Sequence, residues 1–107
     1  MRVTGRLFQA CRITLFTREN CGLCTQARSV LSDVWDSRPF EFKEIDIIKS
    51  EFKPPWRDLY EFDVPVIHIS KSSAPEEHPK SASQAVKLMH RFTTDQVKDK
   101  MDLVEKA

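Results

Sequence analysis

Cys21 and Cys24, three positions apart, are the residues of this chain whose type and spacing most directly permit chemistry. On a helix such residues share a face, with β-carbons ~5–6 Å apart, and a small local adjustment brings them within disulfide reach. A pair that opens and closes in this way passes two electrons to or from another disulfide through a mixed disulfide. The attacking species is the thiolate. A helix N-terminus, with its partial positive charge and free N–H donors, lowers a thiol pKa from its free value of ~8.5. Arg18, three residues upstream, adds a full positive charge. By position, Cys21 at the helix start is the expected exposed nucleophile, and Cys24, one turn in, the expected resolving thiol.

The remaining chemistry-bearing residues are dispersed. The third cysteine, Cys11, makes the count odd, which suits a reactive pair in a reducing compartment better than a disulfide framework. Cys11 with His68 or His90 could in principle complete a four-ligand zinc site around Cys21 and Cys24. Their spacing follows no zinc-ribbon pattern. Cys11 is read as a passive, partly buried thiol ahead of the first strand, and His68 as a packed or exposed strand residue. His78 is read as solvated in a loop, and His90 as a surface group beside Arg91. Trp35 and Trp56 are read as core or rim packing, and Glu76, Glu77 and Lys98 to Lys100 as solvated faces.

The elements that must position the pair follow from periodicity. Arg12 to Phe16 alternates polar and apolar residues and predicts a strand. A polar loop, Thr17 to Asn20, leads to a helix from Cys21, with Leu23, Ala27, Val30, Leu31 and Val34 on one stripe; Pro39 ends it. Phe40 to Ile48 predicts a second strand, with a bulge near Lys43-Glu44 to absorb a slip in its alternation. Strand, helix and strand make a βαβ unit with a parallel pair. In that setting C-x-x-C reads as a redox motif.

Ser50 to Phe62 predicts a short helix, with Pro55 in its first turn and Trp56, Leu59 and Tyr60 on one face. Val64 to Ile69 predicts a third strand, opened by Pro65. Residues 71–84, rich in Ser, Pro, Glu and Lys, read as a polar, mobile hairpin insertion. Ala85 to His90 predicts a fourth strand, antiparallel to the third. Thr93 and Gln96 form a capping-box pattern ahead of a helix striped by Val97, Met101 and Val104. The order is β-α-β-α-β-β-α, an α/β domain with a four-stranded mixed sheet flanked by helices.

At 107 residues the chain suits one domain, expected over 12–107, with 1–11 as a flexible N-terminal segment. Arg2, Arg6 and Arg12 with no acid among them raise a short mitochondrial presequence as an alternative. A mildly basic terminus is the reading preferred, since presequences are longer and richer in serine. The expected location is the cytoplasm, with the mitochondrial matrix as the alternative. A net charge of +1 gives no reason to expect nucleic acid or an anionic membrane as partner, and a monomer is expected.

Four features resemble the thioredoxin superfamily, and within it the glutaredoxins: the strand Arg12–Phe16, the run Arg18-x-x-Cys21-Gly22-Leu23-Cys24, the segment Asp63-Val64-Pro65-Val66, and the final strand and helix. They span about residues 12 to 105. The Cys-Gly-Leu-Cys motif, with the Asp-Val-Pro-Val-Ile-His and Met-His-Arg-Phe segments, looks most like a small subfamily of glutaredoxin-like proteins.

The resemblance implies a cis Pro65 facing the cysteine pair and a Val64 backbone that pairs with the cysteinyl part of a bound thiol peptide. It implies protein disulfides or glutathionylated proteins as substrates, glutathione as co-substrate or a protein reductase as the electron source, and no bound cofactor. The glutaredoxin Gly-Gly pair before the last helix is replaced by Arg91-Phe92-Thr93-Thr94-Asp95, where Thr94 and Asp95 sit at a helix N-terminus able to meet an anion. Arg18, Val64, Pro65, Thr94 and Asp95 are the expected substrate-binding residues. The alternative class is a metal-binding or adaptor module, such as an iron–sulfur carrier bridging chains through cysteine thiolates. Monothiol glutaredoxins, which resemble that behaviour, carry serine where this chain has Cys24.

Overall fold

The computed structural model describes residues 10–50 and 55–107. The expected N-terminal segment up to residue 9, and residues 51–54 of the expected second helix, lie outside the described residues. Strand β1 (Cys11–Thr17) leads to helix α1 (Gly22–Ser37), then to β2 (Glu41–Asp46), α2 (Trp56–Tyr60) and β3 (Val66–Lys71). A 3-10 helix (Pro79–Gln84), β4 (Val86–Met89) and α3 (Thr94–Lys106) complete the order. The sheet runs β2-β1-β3-β4, with β1 parallel to β2 and the other neighbours antiparallel.

Strand β1 is buried along its whole length, so its alternation divides two cores. Cys11, Ile13 and Leu15 meet Ala27, Leu31 and Val34 of α1 and Val97, Met101 and Val104 of α3 on one side of the sheet. Phe16 turns to the other side and packs with Trp56 and Tyr60 of α2, Ile47, Val66 and Ala82. Cys11 is therefore the first residue of β1 and not the end of a flexible leader, because its side chain belongs to the larger core.

The expected bulge in β2 is absent, and the register from Arg12↔Glu41 to Thr17↔Asp46 is unbroken. The apolar residues of β2 shift phase because both sheet faces carry apolar layers: Phe40 packs with the α1 core, and Ile45 and Ile47 with the α2 core. The strand stops at Asp46, whose Oδ1 accepts from the N–H groups of Ile48 at 2.9 Å and Lys49 at 3.2 Å. Helix α2 is shorter than expected, with Pro55 as its N-cap. Trp56 and Tyr60 are buried, whereas Leu59 is exposed.

Segment 71–84 departs most from expectation. It carries a 3-10 helix with Pro79 and Ala82 buried, and it is clamped from beneath the sheet. Arg12, buried on β1, donates from Nη1 to the Ala74 carbonyl at 3.0 Å and from Nη2 to the Pro75 carbonyl at 2.7 Å. Arg12 also pairs with Glu77 at 3.4 Å. Glu77 is thus part of a buried network and not a solvated face, while Glu76 stays exposed against Lys43. The capping box at Thr93 and Gln96 is present. Arg38 ties the end of α1 to α3 through Asp102 and Glu105, each at 2.8 Å.

Candidate active site

The chain enters α1 through Asn20, whose φ of 59° lies in the left-handed region, where Asn is among the better tolerated residues. Cys21 then caps the helix: its backbone is extended, and its Sγ accepts the Cys24 N–H at 3.1 Å. No acidic residue occupies the first turn of α1, so nothing in that turn offsets the positive helix end. Cys21 and Cys24 are joined as a disulfide, with Cα atoms 5.2 Å apart. Cys24 is fully buried and takes a place on the α1 core stripe, whereas Cys21 is half-buried. That asymmetry leaves one sulfur reachable and holds the other behind it.

A cleft of about 230 Å³ opens beside Cys21, lined by Arg18, Asn20, Cys21, Glu61, Phe62 and Val64. Its far wall is the segment after α2. Trp56 and Tyr60 root that segment in the second core, and the Asp63 N–H donates to the Tyr60 carbonyl at 2.9 Å. The Val64–Pro65 peptide is cis, and the Pro65 carbonyl accepts the His90 N–H at 2.7 Å. Among the described residues, neither the N–H nor the C=O of Val64 makes a hydrogen bond. Arg18 reaches across the cleft, donating to the Glu61 carbonyl at 3.4 Å.

The sequence-expected residues separate into two places. Arg18, Cys21 and Val64 line one cleft, and Pro65 adjoins it in the chain. Thr94 and Asp95 open α3 and are not among the cleft's lining residues. Asn20, Glu61 and Phe62 were missed. The left-handed turn at Asn20 has a weak signal in its residue type, but nothing in the pattern near Phe62 marks it as a rim residue and not a helix end.

Cys11 and His68 sit on opposite faces of the sheet. Cys11 is 1% exposed, and its Sγ lies 3.4 Å from Glu105 Oε2. Burial and that carboxylate push its pKa up to about 12. Its burial in the larger core is deeper than the partly buried position expected of it. His90, with φ 65°, is on the surface as expected and lies 3.7 Å from Asp63. His78 caps the 3-10 helix by accepting the Lys80 N–H at 3.1 Å. His68 is packed, but its partners were not legible in advance. Its Nε2 lies 2.6 Å from the Tyr60 hydroxyl and its Nδ1 2.6 Å from Glu77 Oε1.

A cis-proline loop facing a disulfide at the start of α1, on a sheet ordered β2-β1-β3-β4, defines a thioredoxin-fold protein. The profile of the glutaredoxin-like domain (DUF836) matches residues 12–102, and the chain belongs to that family. Among solved structures it is similar to target protein XcR50 from X. campestris, at 21% identity and TM-score 0.56 over 89% of this chain and 97% of that one. It is also similar to chloroplastic thioredoxin z, at 18% identity and TM-score 0.64 over 98% and 87%. A third similar structure is oxidized thioredoxin O2 from Arabidopsis thaliana, at 15% identity and TM-score 0.59 over 90% and 76%. At these identities the structural likeness establishes the fold.

Proposed function

We propose that this protein is a thiol–disulfide oxidoreductase in which Cys21 is the nucleophile and Cys24 the resolving thiol. The observation that carries the reading is the asymmetry of the pair: Cys21 is half-buried at the α1 N-cap beside an open cleft, and Cys24 is fully buried one turn behind it. In the reduced protein the Cys24 N–H and the helix end favour negative charge on Cys21 Sγ. The Cys21 thiolate attacks a substrate disulfide, forming one S–S bond and expelling a substrate thiolate. Cys24, after losing its proton, attacks Cys21, forms the intramolecular disulfide and releases the second substrate thiol. Two electrons and two protons pass to the substrate in all.

The substrate class is protein disulfides or glutathionylated proteins, docked along the free backbone of Val64 beside Pro65 with Arg18 at the cleft wall. Glutathione is the proposed electron source, with Thr94 and Asp95 at the α3 N-terminus as the candidate anchor for one of its carboxylates. The protein would work as a monomer in a reducing compartment, the cytoplasm or mitochondrial matrix, without a bound cofactor. The test is glutathione-dependent reduction of a glutathione mixed disulfide. Turnover should vanish in Cys21→Ser and persist in part in Cys24→Ser. Wild-type protein that fails to turn over, while its pair still cycles in a redox buffer, would remove glutathione as the partner. A Cys21→Ser variant as active as wild type would refute the nucleophile assignment.

A further inference from the structure

We infer that Phe62 is a specificity-determining residue. It forms an apolar shelf beside Cys21 that selects peptide disulfides bearing an apolar side chain next to the attacked cysteine, over glycine-flanked disulfides and glutathione. The inference rests on the reading of Cys21 as nucleophile.

Three observations converge on Phe62. It is 88% exposed, whereas Trp56, Tyr60 and Val66 of the same stretch are at most 3% exposed and Leu59 is 42% exposed. A single exposed apolar residue needs no explanation by itself. This one shares a cleft with the reactive sulfur, and the other side chains lining that cleft include Arg18, Asn20 and Glu61. Phe62 is therefore the aromatic surface among the residues lining that cleft, with Val64 as its aliphatic neighbour.

The backbone supplies the second observation. Val64 has an N–H and a C=O without hydrogen bonds among the described residues. An extended substrate can add there as a strand. Phe62 lies two residues from Val64, in the turn that precedes it, so the two Cα atoms are at most ~7 Å apart. A substrate cysteine held at Val64 thus brings a flanking residue within reach of the ring.

The third observation is that the shelf is held in place. The Asp63 N–H is bonded to the Tyr60 carbonyl at 2.9 Å, and the Asp63 carboxylate lies 3.7 Å from His90. A surface anchored in this way loses little conformational entropy on binding. Glutathione, with glycine on one side of its cysteine and a polar γ-glutamyl group on the other, offers such a ring little to cover.

The test is single-turnover oxidation of the pre-reduced protein by three disulfides: the homodimers of acetylated, amidated Leu-Cys-Leu and Gly-Cys-Gly, and glutathione disulfide. The second-order rate constant with the Leu-flanked peptide should exceed that with the Gly-flanked peptide about tenfold, or ~1.4 kcal/mol. That is the scale of partial burial of one leucine side chain. In Phe62→Ser the two peptide rates should converge to within about twofold, with the Gly-flanked and glutathione rates unchanged. The ring is solvated, so its removal leaves the core intact, and an unchanged urea midpoint would verify this. Equal rates in wild type, or a preference that survives Phe62→Ser, would overturn the shelf while leaving Cys21 as nucleophile. Failure of all three disulfides to oxidise the pair would overturn both.

Discussion

Replacing Glu77 by alanine should destabilise the protein by about 3 kcal/mol at pH 7. Glu77 sits beneath the sheet between two buried partners. It accepts from His68 Nδ1 at 2.6 Å and pairs with Arg12 at 3.4 Å. The Arg12 and Glu77 side chains are 3% and 13% exposed. A carboxylate only accepts, so Nδ1 of His68 donates to Glu77, while Nε2 of the same ring lies 2.6 Å from the Tyr60 hydroxyl. Removing the carboxylate leaves a buried guanidinium without its counter-charge and a buried imidazole N–H without an acceptor.

Loss of one partner from a buried pair costs about 3–5 kcal/mol. The lower end applies because Arg12 keeps the Ala74 and Pro75 carbonyls. Urea unfolding at pH 7 should show the lower midpoint with an unchanged slope, and the melting temperature should fall by roughly 12–20 °C. Glu77→Gln, whose side-chain carbonyl still accepts from His68, should lose about half as much.

The pH dependence follows from the shift at Glu77. Burial alone would raise its pKa, but the hydrogen bonds and charges of His68 and Arg12 outweigh burial and hold it below the ordinary 4.5. A depressed carboxylate contributes stability above its unfolded pKa and loses it as pH falls through the native value. The gap between wild type and Glu77→Ala should therefore be full above pH 4.5 and close progressively below it. A cost under about 1 kcal/mol at pH 7, against the 3–5 kcal/mol scale for such pairs, or a gap unchanged in acid, would refute the reasoning.

Two further outcomes follow from the same structure. With its pKa at about 12, Cys11 stays protonated at pH 8, so iodoacetamide should label Cys21 in the reduced native protein far faster than Cys11; comparable labelling by mass spectrometry would contradict its burial. Thr93→Ala removes the side-chain acceptor for the Gln96 N–H at 3.1 Å and should lower stability by about 1 kcal/mol in urea unfolding, with the redox chemistry unaffected.

The elements were legible because each is built on a local period. The alternation of β1, the 3.6-residue stripes of α1 and α3, and the capping box at Thr93 are all short-range patterns. So was the cysteine pair, since C-x-x-C between a strand and a helix places both sulfurs without knowledge of the rest of the fold. The order of the two thiols, Cys21 at the helix start and Cys24 one turn in, follows from the spacing; that Cys21 is half-buried and Cys24 fully buried is set by the packing of α1.

What only the tertiary structure decided depends on residues distant in sequence. The phase of β2 was misread because one strand feeds two cores, and a periodicity argument assumes one buried face. Segment 71–84 is polar in composition, but its charge at Glu77 is answered by Arg12 and His68 from two strands, and no local pattern announces a long-range ion pair. Phe62 reached the rim of the Cys21 cleft for the same kind of reason. Trp56 and Tyr60 anchor the chain on one side and Pro65 on the other, and the path between them sets the ring beside Cys21. Sequence spacing determined which sulfurs can react with one another; packing across the sheet decided what surrounds them.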